Sequence, residues 1–329
     1  MSWNIARRCF LKVSGGLMLG SAVSGLLCGA GDPAEGGAAV PTVGGLRVNY
    51  VRAFAKDYGN NFRQMEIHLN IENTNSSAAY FNQENFVPML GNSRYGGEFT
   101  FTGLNKWNGS RYVQDVQLKA GETQPISYRC KLQPEDLSAG LRTVDPAPWS
   151  LTLLYGGQRQ TFTGYLLPDQ YRTEYTAGPV ESTVLPSVGG IVLSGFWSSD
   201  FPTQIPSYSL PIYFTMQNSN DTAAQLPFRG VAENGDVLDN FTIRMDGQPR
   251  NHYRLYACTH TSRFTPEEKG HLETLQPQEI CFAETGISLT KDEYSTLYTT
   301  GHTLEITFSY GDESVTVRGN TRTGIFEAI

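Results

Sequence analysis

The chain has 329 residues, of which 39% are hydrophobic and 17% charged, enough to build real cores and too apolar for a disordered polymer. Gly, Thr, Tyr and Phe are plentiful, which favours strands and turns over helices. The formal net charge is −7 and no basic stripe occurs beyond residue 30, so neither a nucleic acid nor an anionic membrane surface is an expected partner.

Residues 6–12 read Ala-Arg-Arg-Cys-Phe-Leu-Lys and lead into a Gly-broken, mildly apolar run over 13–27. A positive start, a short apolar stretch and small residues beyond it make 1–30 an expected export signal peptide. The pair Arg7-Arg8 followed by Phe10-Leu11-Lys12 resembles the twin-arginine export signal, departing from its pattern only at Ala6. The apolar run is interrupted by Gly15, Gly16, Gly20 and Gly25, too short and weak for a membrane-spanning helix. Cleavage near 28–30 yields a secreted protein. Lipidation of Cys28 is the other option, and the Gly/Ala/Pro-rich segment 31–42 suits a surface tether.

The rest of the chain repeats itself. Val43-Gly44-Gly45-Leu46 recurs as Val188-Gly189-Gly190-Ile191, and Asn73-Thr74-Asn75-Ser76 as Asn218-Ser219-Asn220-Asp221. Leu118-Lys119-Ala120-Gly121-Glu122 corresponds to Leu275-Gln276-Pro277-Gln278-Glu279, and Tyr155-Gly156 to Tyr310-Gly311. Matches in the same order define a repeat over 43–167, a Pro-containing linker over 168–187, and a second repeat over 188–329 that holds an insertion between Asn220 and Glu279. Within the repeats, 65–73 and 210–218 alternate with period two, and 149–155, 304–310 and 313–318 read as further strands closed by Gly turns. Short helical turns are expected over 134–140 and 290–297.

An alternating strand ending in Asn-x-Asn, a Phe86-Val87-Pro88 strand, a Leu-x-x-Gly-Glu turn and the late hairpin led by 151–155 resemble the immunoglobulin-like modules of secreted or lipid-anchored bacterial proteins. That resemblance implies an all-β fold of two tandem antiparallel immunoglobulin-like β-sandwich domains, exported and surface-associated, and it brings no catalytic residues with it. Gln278 departs from the glycine of the turn motif.

Four features bear on chemistry. The Asn-x-Asn segments offer oxygen atoms to a calcium ion, but Asn after a strand ordinarily bonds its own backbone in a turn. His252, Cys258, His260 and Cys281 form a candidate zinc or copper set with irregular spacing, accompanied by His271. Cys258 and Cys281 are alternatively a disulfide stapling the insertion. Phe196, Trp197, Phe201 and Tyr208 are candidate stacking residues for a ligand, or rings that seal the contact between repeats. No Gly-x-Ser-x-Gly, Walker or dinucleotide glycine loop occurs, so no cofactor is expected. The expected function is a non-catalytic module that binds a protein or cell-envelope polymer. A metal or redox protein built on the insertion, and a carbohydrate-active β-sandwich enzyme, are the alternatives.

Overall fold

A computed structural model of the chain describes residues 41–57, 63–90, 93–94, 97–101, 116–131, 147–166, 175–198, 208–226, 228–231, 237–253, 255–258, 270–297 and 300–329. The export signal with Arg7, Arg8 and Cys28, and the helical turn expected at 134–140, lie outside these residues. The described chain is all-β, and its strands pair antiparallel into four sheets of four or five strands and three two-stranded ribbons. No helix among the described residues is long and apolar enough to cross a membrane.

The two Val-Gly-Gly segments are two-residue hairpins. Val43 and Leu46 exchange backbone hydrogen bonds of 2.8 and 2.9 Å, and Val188 and Ile191 exchange two of 2.9 Å. Such a tight turn needs positive φ at both central residues, which glycine adopts without a Cβ clash. Gly44 and Gly45 have φ of 55° and 83°, and Gly189 and Gly190 of 55° and 80°.

Each hairpin opens a sheet. The first sheet runs in the order Leu46–Asp57, Arg63–Asn73, Thr123–Lys131, Gly97–Phe101. The second runs Tyr175–Ser182, Gln158–Leu166, Ala147–Tyr155, Phe86–Leu90, Ser93–Arg94. These two sheets share one core: Ile67, Leu69 and Ile71 from the first meet Phe86, Leu151 and Leu153 from the second. The third sheet is ordered Ile191–Ser198, Ser209–Asn218, Ile280–Ser288, Tyr256–Cys258, Gly270–His271. The fourth is ordered Gln248–Arg250, Phe241–Met245, Thr303–Tyr310, Glu313–Asn320, Phe326–Ala328. They share a second core, in which Ile212, Phe214 and Met216 pack with Phe241, Ile306 and Phe308.

The alternation over 65–73 holds for Ile67, Leu69 and Ile71, which face the first core. In the counterpart Ser209–Asn218 it breaks down, because Tyr213 is buried as well. Ile280–Ser288 is buried at every position from Cys281 to Ile287. A sheet covered on both faces loses the polar half of its alternation. Here the second cover is the other half of the chain: Trp197, Tyr213 and Phe282 of the third sheet pack against Val87 and Leu154 of the second, with Ile325 alongside.

The segment expected to be a bare connector carries structure. Tyr175–Ser182 adds to the edge of the second sheet, its register running from Gln158 opposite Ser182 to Gly164 opposite Tyr175. Pro179 is tolerated there because an edge strand leaves one row of N–H groups without a ladder partner. Beyond it, the Thr183 amide donates to the Gly157 carbonyl and the Leu185 amide to the Leu193 carbonyl, both at 2.9 Å. The connector is thus hydrogen-bonded to both halves of the chain.

The helical turn expected at 290–297 is the helix Lys291–Thr296, opened by a capping box in which Thr290 and Glu293 bond each other's backbone amides. Glu293 also pairs with Arg250. Burial raises its carboxyl, but the Thr290 amide and Arg250 more than offset this and leave it below the ordinary carboxylate value.

Candidate functional site

The Asn-x-Asn segments are structural knots. Asn73 and Asn218 are fully buried. The Asn218 amide donates to the carbonyls of Thr222 at 2.8 Å and Leu275 at 2.9 Å, while its Oδ1 accepts from the Asn220 amide at 3.0 Å. Asn73 repeats this with Ser77, Leu118 and Asn75. Asn75 and Asn220 reach back to the carbonyls of Gly44 and Gly189. Each Nδ2 points at carbonyls and each buried Oδ1 accepts a backbone amide, the turn chemistry expected of Asn after a strand. The Leu-x-x-x-Glu turn is held alike in both places: Glu122 accepts from the Lys119 amide and Glu279 from the Gln276 amide, each at 2.8 Å. Gly121 has φ of 71° and Gln278 of 60°, so the departing glutamine is forced into the left-handed region.

Of the residues suggested as metal ligands, the structure describes the side chains of His252 and Cys281. Cys281 is a buried thiol facing the second core. The register sets Cys258 opposite Phe282, the neighbour of Cys281. The side chain of Cys258, the other half of the possible disulfide, lies outside the described residues. His260 lies outside the described residues. His252 is 3% exposed; its Nε2 is 2.6 Å from Asp239 Oδ2 and 3.0 Å from the Phe241 carbonyl, and Nδ1 is 3.0 Å from the Tyr253 carbonyl. Both ring nitrogens are occupied by the protein. Among the described residues no group of three or more His, Cys, Asp or Glu is placed to hold a metal. Next to His252, the Tyr253 hydroxyl donates to Glu284 at 3.0 Å, and burial together with that carboxylate pushes the phenol far up.

The candidate stacking rings are used internally. Phe196 stacks on Phe214 with centroids 4.6 Å apart and planes 8° from parallel. Trp197 lies 5.6 Å from Phe282 and 5.9 Å from Tyr213 in the junction core. Both are nearly inaccessible, at 4% and 3% exposure, so neither presents a face to a ligand. Tyr208 packs on Tyr294 at 4.9 Å, and Phe201 lies outside the described residues.

One constellation was invisible in the sequence because its members are far apart. His302 Nδ1 is 2.7 Å from Asp246 Oδ2, and Nε2 is 2.9 Å from Thr296 Oγ1. The order hydroxyl, imidazole, carboxylate is that of a nucleophile, base and orienter. The Thr296 hydroxyl, however, also donates to the carbonyls of Asp292 at 2.9 Å and Glu293 at 3.2 Å, one turn back in its own helix. Asp246 is raised by burial and lowered by His302 and the Thr303 amide, for a net fall below the ordinary value. The cluster ties the Asp246-Gly247 turn, the helix and the strand Thr303–Tyr310 together, as a lock on the helix end.

A groove of about 530 Å³ lies where the two halves meet. One wall comes from Arg159 and Thr161 of the second sheet and Glu181 of the connector strand; the other comes from Thr303, Arg318 and Asn320 of the fourth sheet. The C-terminal segment adds Thr323, Ile325 and Glu327. Arg159 clamps the junction: its Nε donates to Glu181 at 2.6 Å and its Nη2 to Glu327 at 2.7 Å. Burial disfavours the Arg159 charge, and these two carboxylates more than compensate. Arg318 donates through Nε and Nη2 to Glu305 at 2.9 and 2.6 Å. No protein-family model matches the chain, and no curated protein matches it.

Proposed function

We propose that this is an exported, non-catalytic protein in which two tandem immunoglobulin-like β-sandwich modules form one rigid body that binds a cell-envelope polymer. The observation that carries this reading is the junction. Trp197, Tyr213, Phe282, Val87 and Leu154 bury the facing sheets against each other, and a polar groove runs along the seam. A seam packed like a core fixes the geometry of any surface that spans it, which lowers the ordering cost of binding an extended ligand. The large hydrophobic side chains most exposed among the described residues are Tyr165, Val184, Ile280 and Ile329. They are far apart in sequence, Tyr165 and Ile280 on strands of different sheets and Val184 and Ile329 outside the strands. Protein interfaces rely on clustered aromatic anchors, so a polar polymer fits better than a protein partner.

Export rests on the twin-arginine-like segment at Arg7-Arg8, and the non-catalytic reading rests on the Thr296 hydroxyl being bonded back into its own helix. The test has two arms. Cell fractionation should find the protein outside the cytoplasm, and Arg7→Lys with Arg8→Lys should retain it inside. Isolated cell-wall material should sediment the purified protein without being degraded. Wall fragments released with time would replace the binding module with an enzyme, and failure to co-sediment would remove the polymer.

A further inference from the structure

Resting on that reading, we propose that the junction groove is the binding site, and that its ligand is a charge-neutral polyhydroxyl chain, an oligosaccharide segment. The argument starts from what the lining can and cannot pair with. Arg159 and Arg318 only donate hydrogen bonds, and Glu181 and Glu327 only accept them. Thr303 does both, while the Thr161 hydroxyl is shared with Thr152 at 2.9 Å and the Thr323 hydroxyl donates to the Asn320 carbonyl at 3.1 Å, which leaves each an acceptor for a ligand. A phosphate or carboxylate polymer placed here meets the two glutamates, and a polycation meets the two arginines. Like charges in contact are a strong device against the wrong partner. A ligand that satisfies such a mosaic must itself offer donor and acceptor on the same atom at short intervals, which is what a sugar hydroxyl does.

The supply of hydrogen bonds is sufficient. Arg159 uses two of its five N–H donors on Glu181 and Glu327. Arg318 likewise spends two on Glu305. The donors left over sit on guanidinium planes already held in place by carboxylates, so little rotamer freedom is lost when a ligand arrives. Among the described residues the only large apolar lining is Ile325, whose side chain also packs on the junction core. A peptide needs apolar pockets for its alternate side chains, and one isoleucine does not provide them. The volume of about 530 Å³ lies within the range of ligand sites, roughly 300–1,000 Å³.

The groove also explains why both halves are needed. Arg159 and Glu327 are 168 positions apart and come from different halves, so neither half alone has the complete lining.

The test is calorimetric titration of the full chain with cellotetraose, maltotetraose and N-acetylchitotetraose, alongside tetragalacturonate and a neutral Gly-Ser peptide, with amide chemical shifts at Gly319 and Asn320 as the site report. Two variants probe the groove: Thr303→Trp, which fills it from an exposed position, and Arg318→Gln, which removes donors on a half-exposed side chain. The expected result is binding of at least one neutral tetrasaccharide, shifts at Gly319 and Asn320, and at least about a tenfold loss in each variant, the equivalent of one strong contact. Sugar binding that survives both variants overturns the groove and leaves the wall-binding function standing. Tetragalacturonate or the peptide binding more tightly than every neutral sugar overturns the ligand class. Absence of binding by all three neutral sugars, in a protein that still sediments with cell wall, also overturns the inference. Absence of sedimentation as well removes the function on which it rests.

Discussion

Asn218→Asp separates a structural turn from a cation site, because the two readings predict opposite signs. In the structure the buried Asn218 amide donates to Thr222 and Leu275 and accepts from Asn220, over distances of 2.8 to 3.0 Å. Each such bond is worth about 1 kcal/mol net, so Asn218→Ala should cost about 3 kcal/mol. Asn218→Asp keeps the acceptor but turns the donor into a carboxylate oxygen facing two carbonyls. An uncompensated buried charge costs about 3–5 kcal/mol, so the aspartate should be the more harmful change at neutral pH. Burial raises the folded-state pKa of that aspartate above its unfolded value. Its penalty should therefore grow with rising pH and shrink toward the ordinary value of about 3.9. Asn73→Ala should match Asn218→Ala to within about 1 kcal/mol, since Asn73 donates to the equivalent carbonyls. Urea unfolding monitored by tryptophan fluorescence, with and without excess calcium, measures all of this. An Asn218→Asp protein as stable as Asn218→Ala, or one restored by calcium, would refute the turn assignment.

Gln278→Gly should stabilise the protein by about 1 kcal/mol: it relieves the left-handed strain at φ of 60° and gives up only the exposed bond from Nε2 to the Ser219 carbonyl at 3.2 Å. A lower urea midpoint for the variant would show that the glutamine is not strained. Phe282→Ala should cost about 3–5 kcal/mol as a core truncation at the junction, and in scanning calorimetry the single transition of the wild type should split or broaden as the halves uncouple. A wild type that already melts in two steps would argue against a junction that couples the halves. The depressed carboxyl of Glu293 stabilises the fold above the ordinary 4.5, and that contribution is lost as pH falls through its lower folded value. Glu293→Gln should therefore lose about 1 kcal/mol at neutral pH and show a shallower acid limb. Equal acid limbs in variant and wild type would place the titration elsewhere.

Local chemistry was legible in the sequence wherever a motif closes on itself. Val-Gly-Gly-Leu and Val-Gly-Gly-Ile are two-residue hairpins because glycine accepts positive φ at both central positions without a Cβ clash. Asn73 and Asn218 are turn residues because an amide buried after a strand must bond nearby backbone, and Thr290 with Glu293 opens a helix for the same reason. Those signals need a few neighbouring residues, so they survive without knowledge of the fold. The alternation over 65–73 was equally readable, since one face of that strand meets one core.

What only the tertiary structure decided is which outer faces meet. Phe196 and Trp197 are adjacent, yet one stacks on Phe214 in the second core and the other packs into the junction, because neighbouring strand residues face opposite ways and both faces of this sheet are covered. Cys281 became a core thiol by the same parity. The strand at 175–182 escaped notice because an edge strand with a proline and several exposed residues has no apolar alternation to reveal it. The groove was hidden for a different reason. Arg159, Glu181, Arg318 and Glu327 are ordinary surface charges in sequence, and pairing energies across 168 positions exist only after the halves have packed. The sequence by itself determined the turns and the strand faces, because these depend on local sterics and period; the packing of one half on the other determined the site, because a binding surface is made of distances between residues the chain order keeps apart.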